Sequence, residues 1–169
     1  HNVIYDEVFT QFTLKKPKKW TMIGGVQFQR YDQELYQGKA GAPIVNAVTP
    51  YIDYLYKFDH KKSLRTEFQY MSTEQDYGSW FYGLAEFSIS PHWLFELSDM
   101  YNIAPTIHEG ETEVSEKLHY PTAGVVYSAG ATRYSLRYVK QVEGVVCSGG
   151  ICRLEPAFSG VKLNISANF

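Results

Sequence analysis

A chain of 169 residues with a net charge of −2 suits one domain and offers no bulk field for nucleic acid or for an acidic partner. Hydrophobic residues make up an ordinary 44%, but aromatics reach 16%, with 14 Tyr, an excess that suits strands and the Tyr/Trp belts of membrane proteins. No run of about 18 apolar residues occurs, which excludes a transmembrane helix.

The dominant period along the chain is two. It predicts nine strands, over residues 3–14, 20–31, 47–58, 63–72, 79–89, 93–102, 118–128, 132–142 and 157–169. In the first, both faces mix polar and apolar residues. In the second, Trp20, Met22, Gly24, Val26 and Phe28 share one face, and Thr21, Gln27 and Gln29 the other. Pro50 and Pro121 should lie near strand ends or bulges, because proline cannot donate to a ladder. In the fourth strand Leu64, Thr66, Phe68 and Tyr70 alternate with Arg65, Glu67 and Gln69. In the sixth, an inward Glu96 leaves Asp99 outward, so Asp99 must sit near a rim or meet a partner. In the eighth, Thr132, Tyr134, Leu136 and Tyr138 alternate with Arg133, Ser135 and Arg137. Each run is about ten residues, the length that crosses a bilayer as a tilted strand. No helical period of useful length is present.

The connections alternate in length. Residues 15–19, 59–62, 90–92 and 129–131 are short turns; 32–46, 73–78, 103–117 and 143–156 are mostly longer. Transmembrane barrels sort their periplasmic turns and external loops in this way. The pattern therefore predicts an all-β, antiparallel, up-and-down transmembrane β-barrel region over residues 1–169. It places the C-terminus on the periplasmic side of a bacterial outer membrane. Nine strands are odd in number and put His1 outside, so strands preceding His1 are expected, and the chain reads as the C-terminal part of a larger barrel.

Several features bear on chemistry. The inward face is expected to carry Gln27, Gln29, Arg65, Glu67, Gln69, Glu86, Glu96, Arg133 and Arg137. Arg133 and Arg137 could form an anion-selective stripe, but pairing with Glu67, Glu86 or Glu96 is the better reading. Cys147 and Cys152 fit a hairpin in which Gly149-Gly150 turn and Ser148 and Ile151 close, placing the cysteines opposite each other for a disulfide that stiffens an external loop. The last strand has Val161, Leu163, Ile165 and Phe169 at alternate positions, which resembles the terminal signal that outer-membrane barrels present to the barrel assembly machinery. The acidic loop 108–113 reads as solvated. His1, His60, His92, His108 and His119 show no metal-site spacing, so no metal or other cofactor is expected. Ser98, Asp99, His108 and His119 fall at the external end without a specific spacing, and no enzymatic activity is expected. Asn164-Ile165-Ser166 matches a glycosylation acceptor but lies inside a membrane strand.

Two stretches, LRTEFQYMSTEQDYGSWFYGLAEFSISPHW from Leu64 and GATRYSLRYVKQVEGVVCSGGICR from Gly130, resemble the C-terminal part of a family of large Bacteroidota outer-membrane β-barrel proteins that carry a domain of unknown function. The resemblance implies fold and location and brings no catalytic residues. The expected role is a non-enzymatic barrel serving as subunit or scaffold of an outer-membrane complex for transport, secretion or biogenesis. Its partners would be outer-membrane lipid and lipopolysaccharide, the barrel assembly machinery and other subunits, with no nucleic acid. The alternatives are a stand-alone porin-like channel and a soluble β-barrel that binds an apolar ligand.

Overall fold

The computed structural model describes residues 4–38, 40–104, 119–142, 144–148 and 151–168. Eight antiparallel strands follow one another as a meander. They are β1 (Tyr5–Lys16), β2 (Trp20–Asp32), β3 (Ile44–Lys57), β4 (Lys62–Met71), β5 (Ser79–Ile89), β6 (Trp93–Ala104), β7 (His119–Ala129) and β8 (Thr132–Gln141). Next come β9 (Gly144–Ser148) and β10 (Ile151–Glu155), which pair only with each other. The chain then returns in β11 (Phe158–Ala167) alongside β8. The main sheet has nine strands in the order β1-β2-β3-β4-β5-β6-β7-β8-β11. These are the nine strands that the alternation predicts. The main boundary changes are that β1 runs on to Lys16 and β3 begins at Ile44.

The sheet is not closed into a barrel, which corrects the expected architecture to an open antiparallel sheet edged by β1 and β11. Strand direction gives the reason. With nine alternating strands, β1 and β11 point the same way, so a seam between them would be a parallel ladder in an otherwise antiparallel sheet.

The four tight turns share one rim. In the β1–β2 turn Lys18 takes a left-handed φ of 64° and Lys19 N donates to Lys16 O at 3.1 Å. In the β3–β4 turn Asp59 Oδ1 accepts from Lys61 N at 2.6 Å and Lys62 N at 2.9 Å, a side-chain mimic of a backbone turn. Those two bonds hold the Asp59 carboxyl below the ordinary carboxylate range. Gly130, with φ 59°, turns β7 into β8.

The opposite rim carries the longer connections. One holds α1 (Gln33–Gln37), a single turn of helix that the alternation does not predict. Asp32 caps its N-terminus by accepting from Leu35 N at 3.1 Å, and Gly38 ends it at φ 73°. The 72–78 connection is pinned to the sheet: Asn46 N donates to Gln75 Oε1 at 3.1 Å and Asn102 Nδ2 to Tyr77 O at 2.7 Å.

Pro121 lies near the start of β7, as expected. Pro50 does not lie near a strand end. It sits inside β3, opposite Val26 of β2, where the ladder to β4 is interrupted between the Tyr51–Gln69 pair and the Val48–Ser72 bridge. A missing N–H is tolerated there because no partner on β4 requires it.

Two glycines separate close approach from open space. A Cβ on Gly25 would lie 2.3 Å from the Thr10 carbonyl oxygen, whereas one on Gly83 would have nothing nearer than 3.5 Å. Gly25→Ala must push β1 away from β2. We expect it to lower the unfolding free energy by about 1–3 kcal/mol in a urea titration followed by tryptophan fluorescence, while Gly83→Ala stays within about 0.5 kcal/mol.

Candidate functional site

Antiparallel register decides which residues share a face, because directly paired residues point the same way. Across the sheet, Gln69 pairs with Tyr51, Arg65 with Glu86, Glu86 with Glu96, Glu96 with Gly124, and Gly124 with Arg137. With Gln27 and Gln29 on the same parity of β2, opposite Thr49 and Ala47, all the expected inward polar residues fall on one face.

The centre of this polar face is Arg65. Its Nε meets Asp53 Oδ2 at 2.7 Å, its Nη1 meets Glu86 Oε2 at 2.7 Å and its Nη2 meets Glu67 Oε2 at 2.5 Å. Glu67 also accepts from Gln69 Nε2. One guanidinium therefore gathers three carboxylates from three strands, using the fixed fork of its donors. Glu86 and Glu96 stand directly opposite each other, a repulsive pairing by itself. Each is drawn instead to its own arginine: Arg137 Nη2 meets Glu96 Oε2 at 2.7 Å. To do so Arg137 must cross β7, and Gly124 makes the room. A Cβ there would come within 2.7 Å of Arg137 Cγ. Toward β1, Gln27 Nε2 donates to Glu7 Oε1 and Gln29 Nε2 to the Tyr5 hydroxyl.

Pairing rather than a bare stripe is thus what Arg137 shows. Arg133, on the same face of β8, is exposed and has no salt bridge among the described residues. Asp53 is the member that the sequence reading missed. Its signal was parity, since it continues the Thr49–Tyr51 face of β3.

The other face is apolar, and it is the more exposed of the two. Phe68 is 46% exposed, Leu97 61%, Leu136 48%, Val161 64%, Leu163 67% and Ile165 61%. By contrast the side chains of Glu67, Glu86 and Glu96 are 16%, 22% and 14% exposed. The best-enclosed apolar side chains, Val45, Ala47, Leu84 and Val126, also belong to the polar face. The sheet thus shelters Glu67, Glu86 and Glu96 on one face and presents hydrocarbon on the other.

Rings concentrate along the tight-turn rim of the apolar face. Trp20 lies 6.2 Å from Tyr54, Tyr54 6.4 Å from Tyr56, and Tyr56 5.1 Å from Phe58. Further along, Trp93 lies 4.6 Å from Tyr127 and stacks on Phe95 at 6.0 Å. Near the other rim Asp99, on the apolar face, meets a partner as its position requires: its Oδ2 is 2.6 Å from His119 Nδ1, and the His119 ring stacks on Tyr101.

The remaining expected residues divide as follows. Ser98 follows the opposite parity to Asp99 and bonds to Tyr82, so a Ser98–Asp99–His119 set is not brought together; His108 lies outside the described residues. The backbone register of β9 and β10 sets Ile151 opposite Ser148 and Cys152 opposite Cys147, as the hairpin reading requires. Gly149-Gly150, the acidic loop 108–113, His1 and Phe169 lie outside the described residues. Val161, Leu163 and Ile165 alternate on the apolar face of β11, and Asn164 lies within that strand. His60 is exposed in its turn, and His92 Nδ1 lies 2.8 Å from Ser128 O.

Over residues 1–169 the chain matches a family model described as Family of unknown function (DUF6029). The chain belongs to that family. No curated protein and no solved structure matches it. DUF6029 names no activity, so a function for this member has to be read from its two faces.

Removing Arg65 leaves Asp53, Glu67 and Glu86 facing one another without a counter-charge. Arg65→Met is expected to cost about 2–4 kcal/mol in urea unfolding, less than a fully buried pair because the arginine keeps contact with solvent. Adding Glu67→Gln and Glu86→Gln to that variant should restore part of the loss. A triple variant no more stable than Arg65→Met alone would show that charge repulsion is not the cause.

Proposed function

We propose that this sheet is a section of a transmembrane β-barrel wall in a bacterial outer membrane, with its apolar face on lipid and its polar face on the lumen. The observation that carries the reading is the inverted exposure: Leu97 and Leu163 outside, Glu67 and Glu96 sheltered. Strand length supports it. The main strands have 10 to 14 residues, and at ~3.3 Å per residue and a tilt of ~45° even the shortest spans roughly 23 Å, close to the apolar band of such barrels. The rim of Trp20, Tyr54, Tyr56, Trp93 and Tyr127 supports it as an interfacial girdle. The tight-turn rim then faces the periplasm, and additional strands between β11 and β1 complete the wall.

Within this reading the barrel acts as a non-enzymatic subunit or scaffold of an outer-membrane complex, in line with the resemblance to large Bacteroidota outer-membrane proteins. Lipid and lipopolysaccharide contact its outer wall. The alternating Val161, Leu163 and Ile165 on the unpaired edge strand β11 suit recognition by the barrel assembly machinery, since an open edge is a template for strand pairing. A diffusion channel is the second reading. It is favoured by the exposure of Arg65 and Arg137, 38% and 39% even after pairing, which leaves them room to face water. A soluble barrel holding an apolar ligand calls for the opposite phase, with its apolar side chains enclosed.

Two measurements test this. The purified protein should require detergent for extraction and show a heat-modifiable band on a gel; a chain that stays soluble without detergent and shows no band shift would sink the membrane reading. Conductance of the full-length protein in a planar bilayer would favour the channel over the scaffold. At residue level, Phe68→Arg puts a cation on the lipid face at a cost of roughly 2–4 kcal/mol near the midplane and should block stable assembly. Gln69→Arg, one residue on and facing the other way, should assemble normally. Equal effects would mean that the face assignment is wrong.

A further inference from the structure

Seven of the chain's eleven lysines fall in two neighbouring segments of the tight-turn rim: Lys15, Lys16, Lys18 and Lys19 around the β1–β2 turn, and Lys57, Lys61 and Lys62 around the β3–β4 turn. All seven are exposed. The two turns are joined directly, because Lys57 N donates to Lys19 O at 2.8 Å. Asp59 is the one acid in these two segments, and its carboxylate is occupied by the backbone N–H groups of Lys61 and Lys62. Among the described residues none of the seven lysines has a salt bridge. The other two tight turns on the rim, at residues 90–92 and 130–131, carry no lysine.

The concentration has no structural use within the fold. Like charges on adjacent turns repel, and β1 to β4 are only three strand spacings apart, roughly 14 Å at ~4.8 Å each. An anionic surface against this rim would offset that repulsion. Immediately behind the lysines on the apolar face stand Trp20, Tyr54, Tyr56 and Phe58, a continuous row of rings. Aromatic rings backed by exposed lysines are the arrangement that meets a lipid interface, with the rings at headgroup depth and the amines reaching the phosphates.

We infer that the Lys15–Lys19 and Lys57–Lys62 turns form a binding surface for anionic phospholipid headgroups in the leaflet that meets the tight-turn rim. The inference rests on the membrane reading above and adds a lipid class and a place to it. Trp93, on the same rim beside the lysine-free 90–92 turn, supplies an internal control.

The test uses the full chain in mixed bilayers of phosphatidylcholine and phosphatidylglycerol, one or the other brominated to quench tryptophan. With Trp80→Phe and Trp93→Phe, Trp20 is the only reporter. It should report a preference of about fivefold for phosphatidylglycerol at low ionic strength, and the preference should collapse in about 0.5 M salt as the Debye length shortens. With Trp20→Phe and Trp80→Phe, Trp93 should report no preference. Lys→Gln at 16, 18, 19, 61 and 62 should abolish the preference at Trp20, with the heat-modifiable band confirming that the variant has assembled. Equal quenching of Trp20 by the two brominated lipids at low salt, or the same preference at Trp93, would overturn the inference while leaving the membrane reading in place. Retention of polyglutamate without lipid preference would assign the rim to an acidic protein and overturn it too. No quenching by either lipid would overturn the membrane reading and this inference together.

Discussion

A strand has two faces and a period of two, so every choice made at one position is repeated at the next but one. In this sheet that constraint is applied with the charges on the sheltered side. Arg65 is the residue through which the arrangement holds. Without it Asp53, Glu67 and Glu86 would converge on a single point of the polar face with nothing to balance them. The cost of partly withdrawing those carboxylates from water is offset by the close geometry of the three ion pairs and, for Glu67, by the added bond from Gln69. The second arginine, Arg137, has the same task for Glu96, and the bare backbone of Gly124 is what lets it reach across β7. A glycine within a strand is usually a weakness; here it is the gap through which Arg137 of β8 reaches Glu96 of β6.

Once the polar face is committed in this way, the apolar face has no partner within the described chain. Leu, Phe, Val, Ile and Tyr side chains of the nine-stranded sheet lie exposed on it. Water is a poor solvent for them, and among the described residues no second layer covers them. The proposed solvent is hydrocarbon, with rings at the rim and ionic groups kept near the ends. The exception, Asp99, is matched by His119 near the opening of β7. The two edges carry a parallel argument: β1 and β11 expose unpaired backbone groups, and hydrocarbon does not tolerate them, so a wall set in lipid requires those edges to be paired.

How much of this was legible in the sequence follows from what alternation can and cannot encode. The strands were legible because a period of two over ten residues is hard to produce by accident; Leu64 to Tyr70 and Thr132 to Tyr138 already specify both faces. The β9–β10 register was legible because Gly149-Gly150 leaves few ways to pair Cys147 with Cys152. Helix α1 was not legible, since five residues cannot display a helical period. Its only marks were Asp32 before it and Gly38 after it. Asp53 was not singled out because parity alone does not say which polar residues of a strand will meet a charge, and Pro50 departs from the expected strand end because a prolyl position in a ladder depends on which neighbour lacks an acceptor to fill. Closure was the largest difference. Strand pattern determines what each strand can bury, but whether two edges meet depends on strand number and direction, and nine is the wrong parity for an antiparallel seam.

The central claim is that the face holding Leu64, Thr66, Phe68 and Tyr70 contacts lipid, while the face holding Arg65, Glu67 and Gln69 contacts water. It is tested most directly by placing a nitroxide label at each of residues 64 to 70 in turn, with Cys147 and Cys152 replaced by Ser, and comparing collisions with oxygen and with a water-soluble nickel chelate in lipid bilayers. The account predicts oxygen maxima at 64, 66, 68 and 70 and nickel maxima at 65, 67 and 69. The reverse phase, or nickel access at every position, would contradict it.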